Sequence, residues 1–153
     1  MDLAILTGKG PKGLIDLAGP PPLINPNDVV ALGHRDPDED VSALAPGVTH
    51  HEARAVPGLG PAALGAQTAK RFETEPGRFW LHLDFDVLDQ EALPAVDYPM
   101  PNGLNWDEAA ALVRPLVASP ALLGADLTIY NPNLDPDRKY ARQIVEWLGE
   151  VFT

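Results

Sequence analysis

Leu81-His82-Leu83-Asp84-Phe85-Asp86-Val87-Leu88-Asp89 is the stretch on which the reading of this chain turns. With Phe79-Trp80 before it, an apolar run of strand character ends abruptly in the carboxylates of Asp84, Asp86 and Asp89. In an open parallel α/β sheet, ligands bind outside the carboxyl ends of the strands. Carboxylates grouped at such an end repel one another unless a positive group offsets them. The pattern predicts a strand over residues 79–83 that delivers a cation site, with Asp84 and Asp86 as hard oxygen donors for Mg, Mn or a similar divalent ion. Capping of a neighbouring helix N-terminus is the competing use of the same carboxylates. His82 shares strand parity with Asp84, so it falls on the same side, as a core histidine or as a support behind the carboxylates.

The flanking sequence supplies alternating strands and helices. Asn27-Asp28 lead into a β-branched run over residues 29–33, which reads as a buried strand, followed by a polar loop over 33–40. His50-His51-Glu52 lacks the HExxH spacing of a helical zinc site and reads as a surface turn. Residues 61–72 form a helix with Pro61 near its start and Lys70-Arg71 near its end, broken by Glu75-Pro76-Gly77. Residues 90–102 are a Pro-rich loop. Asn105 with Glu108 three residues on is a capping box, and Ala109, Leu112, Val113, Leu116 and Val117 give the following helix an apolar stripe. A third strand over residues 122–130 stops at Asn131-Pro132, and a last helix over 137–151 carries Tyr140, Ile144, Trp147, Leu148 and Val151. Trp80, Trp106 and Trp147 sit in apolar patterns and are expected in the core. The N-terminal residues 1–7 are a short apolar, helical start, and 14–17 a second short helix ended by Gly19-Pro20-Pro21-Pro22. The order predicts an α/β fold, one domain over residues 1–153, with a small parallel sheet of three strands and helices on both faces.

Composition narrows the partners. The 153 residues suffice for one domain with a core. The net charge of -11 argues against nucleic acid and anionic membranes and suits cations. With no cysteine there are no disulfides and no thiolate chemistry. No apolar run reaches membrane-spanning length and residues 1–7 lack signal-peptide features, so a cytoplasmic location is expected. The loop Gly8-Lys9-Gly10-Pro11-Lys12-Gly13 lacks P-loop spacing.

Three segments in order resemble the arginase/agmatinase/formiminoglutamase (ureohydrolase) superfamily. Asp84-Phe85-Asp86-Val87-Leu88-Asp89, followed by Leu93-Pro94-Ala95-Val96-Asp97-Tyr98-Pro99 and Asn102-Gly103-Leu104, is similar to the family's third metal-binding segment. Leu32-Gly33-His34-Arg35-Asp36 resembles its Gly-x-Arg-Asp/Glu strand end, and Ile129-Tyr130-Asn131-Pro132-Asn133-Leu134-Asp135 its Glu-x-Asn-Pro-x-Leu-Asp segment. The resemblance implies a three-layer α/β/α fold around a parallel sheet. It also implies a pair of manganese ions roughly 3.5–4 Å apart that activate a bridging water. By position it makes Asp84 a ligand shared by both ions, Asp86 a ligand of one, and Asp89 a residue that fixes the loop. It places Asp97 and Tyr98 where family members shape the substrate pocket.

The departures are informative. The family's Gly-Gly-Asp-His and Asp-Ala-His-x-Asp ligand segments have no counterpart here, so the chain resembles a C-terminal half begun at an internal Met. The glutamate that holds a guanidinium falls at Ile129. Gln90 stands where proline is usual, and Val96-Asp97-Tyr98 replaces smaller residues. The expectation is a manganese-dependent hydrolase of linear C–N bonds in small molecules by ancestry, incomplete or inactive as this chain alone, with a non-catalytic oligomerising or regulatory remnant as the alternative. An exposed sheet edge predicts a homo-oligomer or association with a separate N-terminal half.

Overall fold

The apolar run that ends in carboxylates forms a strand over Phe79–Asp84 in the computed structural model, which describes residues 2–17, 19–35, 46–74 and 77–153. The described strands are β1 (Val30–His34), β2 (Thr49–Glu52), β3 (Phe79–Asp84) and β4 (Leu122–Thr128). They form two parallel pairs, β1 with β2 and β3 with β4. The helices are α1 (Asp2–Leu6), α2 (Lys12–Ile15), α3 (Val56–Leu59), α4 (Pro61–Thr74), α5 (Trp106–Val117) and α6 (Lys139–Val151). The α/β class with parallel strands is as the alternating pattern requires. None of the described helices is long and apolar enough to cross a membrane.

Local chemistry sets the helix ends. Glu108 N–H donates to Asn105 Oδ1 at 2.9 Å, and Glu108 Oε2 accepts from Asn105 N–H at 2.9 Å, so the capping box is closed at α5. At α6 the work falls to Asp135. Its carboxylate accepts from the N–H groups of Tyr140 at 3.2 Å and Ala141 at 2.8 Å, and from the Tyr130 hydroxyl at 2.9 Å. That ties the start of α6 to the chain leaving β4.

Two apolar clusters hold the layers together. The larger gathers Leu64 of α4, Leu83 and Phe85, Leu88, Leu93, Leu104, several residues of α5, and Ile144, Trp147 and Val151 of α6. The smaller joins Ala69 and Phe72 of α4 to Phe79, Leu116 and Ala121. Leu93 and Leu104 are fully buried, a gain of about 1.5–3 kcal/mol for each such side chain. The odd-numbered positions of β3 enter these clusters. The even-numbered positions, Trp80 and His82, face outward.

Three expectations are corrected. Residues 49–52 are not a surface turn but a fourth strand, since pairing with β1 makes a strand of a polar segment that has no apolar alternation of its own. The run after Val29 is a strand, yet only Gly33 in it is buried, the rest being half-buried. Trp80 is not core: it is 59% exposed. Trp147 is buried and Trp106 half-buried, and they meet edge to face at 5.9 Å. Asp36, with the rest of the expected polar loop over 36–40, and the expected helix break at Glu75-Pro76 lie outside the described residues.

Candidate functional site

The outward parity of β3 carries Trp80, His82 and Asp84, and the parallel register sets Gly124, Asp126 and Thr128 of β4 opposite them. Gly124 is required there: the Trp80 indole lies over it, and a Cβ would fall 2.6 Å from the ring. The polar groups form one hydrogen-bonded row. Trp80 Nε1 donates to Asp126 Oδ1. His82 stands between two carboxylates, with Nδ1 on Asp126 Oδ2 and Nε2 3.2 Å from Asp84 Oδ2. The Thr128 hydroxyl donates to Asp84 Oδ1.

The row shifts its own acidities. Burial weighs against the charged form of His82, but the hydrogen bond to Asp126 and the charges of Asp84 and Asp126 outweigh it and raise its pKa. Hydrogen bonds from Trp80 and His82 keep the Asp126 carboxyl below the usual range. Asp126 and Thr128 were not singled out in the sequence. Their signal was present, as polar residues at the alternate positions of an apolar strand.

Asp86 follows in the turn Phe85–Val87 that leaves β3. Its carboxyl is pushed up by burial and by the neighbouring charge of Asp84, with partial relief from Arg35. Arg35 itself donates through Nη2 to the carbonyls of Leu88 at 3.1 Å and Met100 at 3.3 Å. Burial lowers its pKa while Asp86 and Asp89 work in the other direction. Among the described residues, Arg35 Nε is buried without a hydrogen-bond partner. Asp89 points into the loop, accepting from Glu91 N–H at 2.9 Å and Gly103 N–H at 3.1 Å, and these bonds draw its pKa down. Arg35 and Asp89 together therefore pin both ends of the segment that follows Asp86.

Asp97 and Tyr98 are held elsewhere. Asp97 Oδ1 accepts from Asn131 Nδ2 at 2.5 Å, joining the Pro-rich loop to the exit of β4, and Tyr98 is 63% exposed. No hydrogen bond connects either one to Asp84 or Asp86 among the described residues. Across the other strand pair, His34 Nε2 faces His50 Nδ1 at 3.0 Å. Ile129, next after Thr128, sits at φ 71. A β-branched side chain in the left-handed region costs about 1–2 kcal/mol. With Phe85, Leu127, Tyr130 and Ile144 it lines an open apolar cleft of about 390 Å³.

The fit to a metal is partial. Two neighbouring half-buried carboxylates, with Asp86 made harder to ionise by burial and by Asp84, suit a hard divalent cation in charge and donor type. Their number does not suit a pair of ions: among the described residues no group of three or more His, Asp or Glu side chains is arranged to hold a metal.

The raised acidity of Asp86 has a sign that stability measurements read directly. A carboxyl whose pKa rises on folding binds more protons in the folded state, so the fold loses stability as pH climbs from the ordinary value of 3.8 through the raised one. Asp86→Asn is therefore expected to raise the unfolding midpoint at neutral pH and to change it little at pH values below that window. A variant that unfolds earlier than wild type at pH 7 would contradict the half-buried placement of Asp86 beside Asp84.

Comparison with known proteins bears on the family and the fold. A model of the arginase family matches residues 17–153. The chain is 29% identical to the arginase of Bacillus caldovelox over 99% of its own length and 52% of that protein's. It is 31% identical to the arginase of Brucella melitensis, over 98% and 49% of the respective lengths. The crystal structure of the Bacillus caldovelox arginase superposes with a TM-score of 0.87 at 28% identity, covering 99% of this chain and 52% of that one. The formimidoylglutamase of Bacillus subtilis, at 21% identity and a TM-score of 0.73 over 82% of this chain and 41% of its own, shares the fold. The chain thus spans about half the length of the curated relatives it matches.

Proposed function

The chain belongs to the arginase family, and from that premise we propose that it carries the carboxylate part of a manganese centre for hydrolysing linear C–N bonds, incomplete in residues 1–153 taken alone. The observation that supports this reading is the pairing of Asp84 and Asp86 at the carboxyl end of β3, where burial and mutual repulsion keep Asp86 from ionising freely. Manganese bound there would supply the acidified water that such hydrolysis needs as its nucleophile. The chain's own side chains do the holding. Thr128 and His82 orient the two oxygens of Asp84. The turn after β3 presents Asp86, and Arg35 and Asp89 fix the segment behind it. His82, hydrogen-bonded on both ring nitrogens, can hold a proton at Nε2 against Asp84. The substrate would be a small amidine- or guanidine-type molecule. Ile129 offers an apolar wall with no acceptor for a guanidinium, which weighs against arginine and agmatine.

A second reading has its own support: a non-catalytic, oligomerising or regulatory domain. It is favoured by the absence, among the described residues, of any group of three or more His, Asp or Glu side chains arranged to hold a metal. Calorimetric titration with manganese separates the two. The expected result is one weak event, with a stoichiometry no higher than one per chain, that disappears in the Asp84→Asn/Asp86→Asn double variant. A stoichiometry near two would sink the non-catalytic reading. No binding at all would sink the manganese proposal.

A further inference from the structure

His50 and Glu52 share one face of β2, and Thr49 and His51 share the other. The parallel register sets Val30 beside Thr49, Ala31 beside His50 and Leu32 beside His51. Continued without a break, it would put Gly33 beside Glu52 and send His34 to the side of Leu32, which packs on the core. Instead a bulge between Leu32 and His34 sets His34 beside Glu52. The extra residue turns the His34 side chain onto the face of His50 and Glu52. Gly33 makes the bulge possible: its φ is 88, which L side chains rarely adopt, and a Cβ there would fall 2.4 Å from Val87 Cγ2.

The product of the bulge is a pair of half-buried imidazoles from adjacent strands. His34 Nε2 and His50 Nδ1 lie 3.0 Å apart, with the ring centroids 5.1 Å apart. The two strands therefore hold one nitrogen of each ring facing the other. A hydrogen bond has this spacing, and so do two ligands of one metal ion. Metal–nitrogen bonds of about 2.0–2.1 Å, at angles from octahedral to tetrahedral, place neighbouring ligand nitrogens about 2.8–3.4 Å apart. An ion can enter by small rotations of the rings, without movement of either strand. Glu52, on the same face, is drawn to Arg54 Nε at 2.5 Å. The two imidazoles are then the donor set among the described residues, and water completes the shell.

We propose that His34 and His50 form a two-imidazole site for a divalent transition-metal ion of the copper, nickel or zinc class. Imidazole suits these ions, whereas manganese takes carboxylate and water. The chain thus sorts two kinds of cation by donor: nitrogen at His34 and His50, oxygen at Asp84 and Asp86. Binding replaces one hydrogen bond by two metal–nitrogen bonds. The hydrogen that lies between the rings leaves its facing nitrogen, and that ring takes one up at its far nitrogen, so both ligands are neutral imidazoles. The site needs neither manganese nor hydrolysis, so a failed manganese titration leaves it untouched.

Copper(II) is the probe, because it stands highest in the order of divalent affinities for such ligands. It is added to the metal-free chain at neutral pH and followed by calorimetry and electron paramagnetic resonance. The expected result is one ion per chain, with a spectrum split by two imidazole nitrogens. Opening the chelate in His50→Gln should weaken binding by about a hundredfold. His51→Gln changes the opposite face of β2 and should bind as wild type. The nitrogen count is read on the unaltered chain, so it decides the matter even where a variant folds poorly. A spectrum showing one nitrogen or none, equal affinity in His50→Gln, or no copper binding would each overturn the site.

Discussion

Gly65→Ala lowers the stability of the fold by about 3 kcal/mol, at the upper end of the cost of overpacking. Gly65 lies on α4 where it crosses α5, and the missing side chain is what lets the two helices touch. A Cβ there would sit 2.1 Å from the carbonyl oxygen of Leu112 and 3.1 Å from its carbon. Both are backbone atoms inside a helix, so no side-chain rotation relieves the clash and the helices must move apart. Separation is expensive here because Leu64, beside Gly65, and Ala69 and Phe72 further along α4 serve both apolar clusters. The midpoint of thermal unfolding should drop by about 6–12 °C for a domain of this size. Gly149→Ala is the matching control. Gly149 lies in α6 with nothing within 4 Å of its added Cβ, so the same change should stabilise by about 0.5–1 kcal/mol. Equal effects at the two sites would rule out helix–helix contact as the cause.

Elements whose signal is local were legible in the sequence. Asn105 and Glu108 declare the start of α5 because the cap is made within four residues. The stripe Ile144, Trp147, Val151 declares the face of α6. Phe79–Asp84 declares itself because apolar residues and carboxylates change over at one point. What could not be read depends on partners distant in the chain. Thr49–Glu52 is a strand only because Val30–Leu32 lie beside it. Trp80 reads as core by hydrophobicity alone, although its parity, shared with His82 and Asp84, places it outward. Its indole is accommodated by Gly124 and Asp126, some forty residues on. The carboxylates of the site were visible as carboxylates. Their setting was not: that Thr128 and His82 hold Asp84, and that Arg35 bonds the carbonyls of Leu88 and Met100, follows from the pairing of β3 with β4 and the path of the loop after Asp86.

That loop is where fold and site are one problem. Arg35, Asp89 and Gly103 all act on residues 85–104 through hydrogen bonds within the loop. They keep Asp86 beside Asp84, an arrangement that lowers stability at neutral pH and that a bound cation would relieve. The linkage predicts a trade. Removing the charge at Asp86 stabilises the fold and removes manganese affinity together, whereas a surface carboxylate would do neither.

Leu104→Ala tests the same coupling from the core side, with an expected loss of about 2–5 kcal/mol. Leu104 has no exposed surface. Its N–H donates to the Val87 carbonyl at 3.0 Å and its carbonyl accepts from Asp89 N–H at 2.8 Å, so its backbone closes the turn that presents Asp86. It also stands directly before the Asn105 cap of α5. Cutting the side chain back leaves those hydrogen bonds possible but removes the anchor that holds them against Leu88 and Leu93. Denaturant unfolding should show the loss at unchanged slope. Manganese affinity should fall at temperatures where the variant is still folded, because the segment carrying Asp86 and Asp89 is no longer fixed to the core. Leu104→Met keeps the volume and should cost less than about 1.5 kcal/mol with affinity retained. An alanine variant that loses stability yet binds manganese as wild type would show that the carboxylates are positioned by β3 alone, and that the loop is structural only.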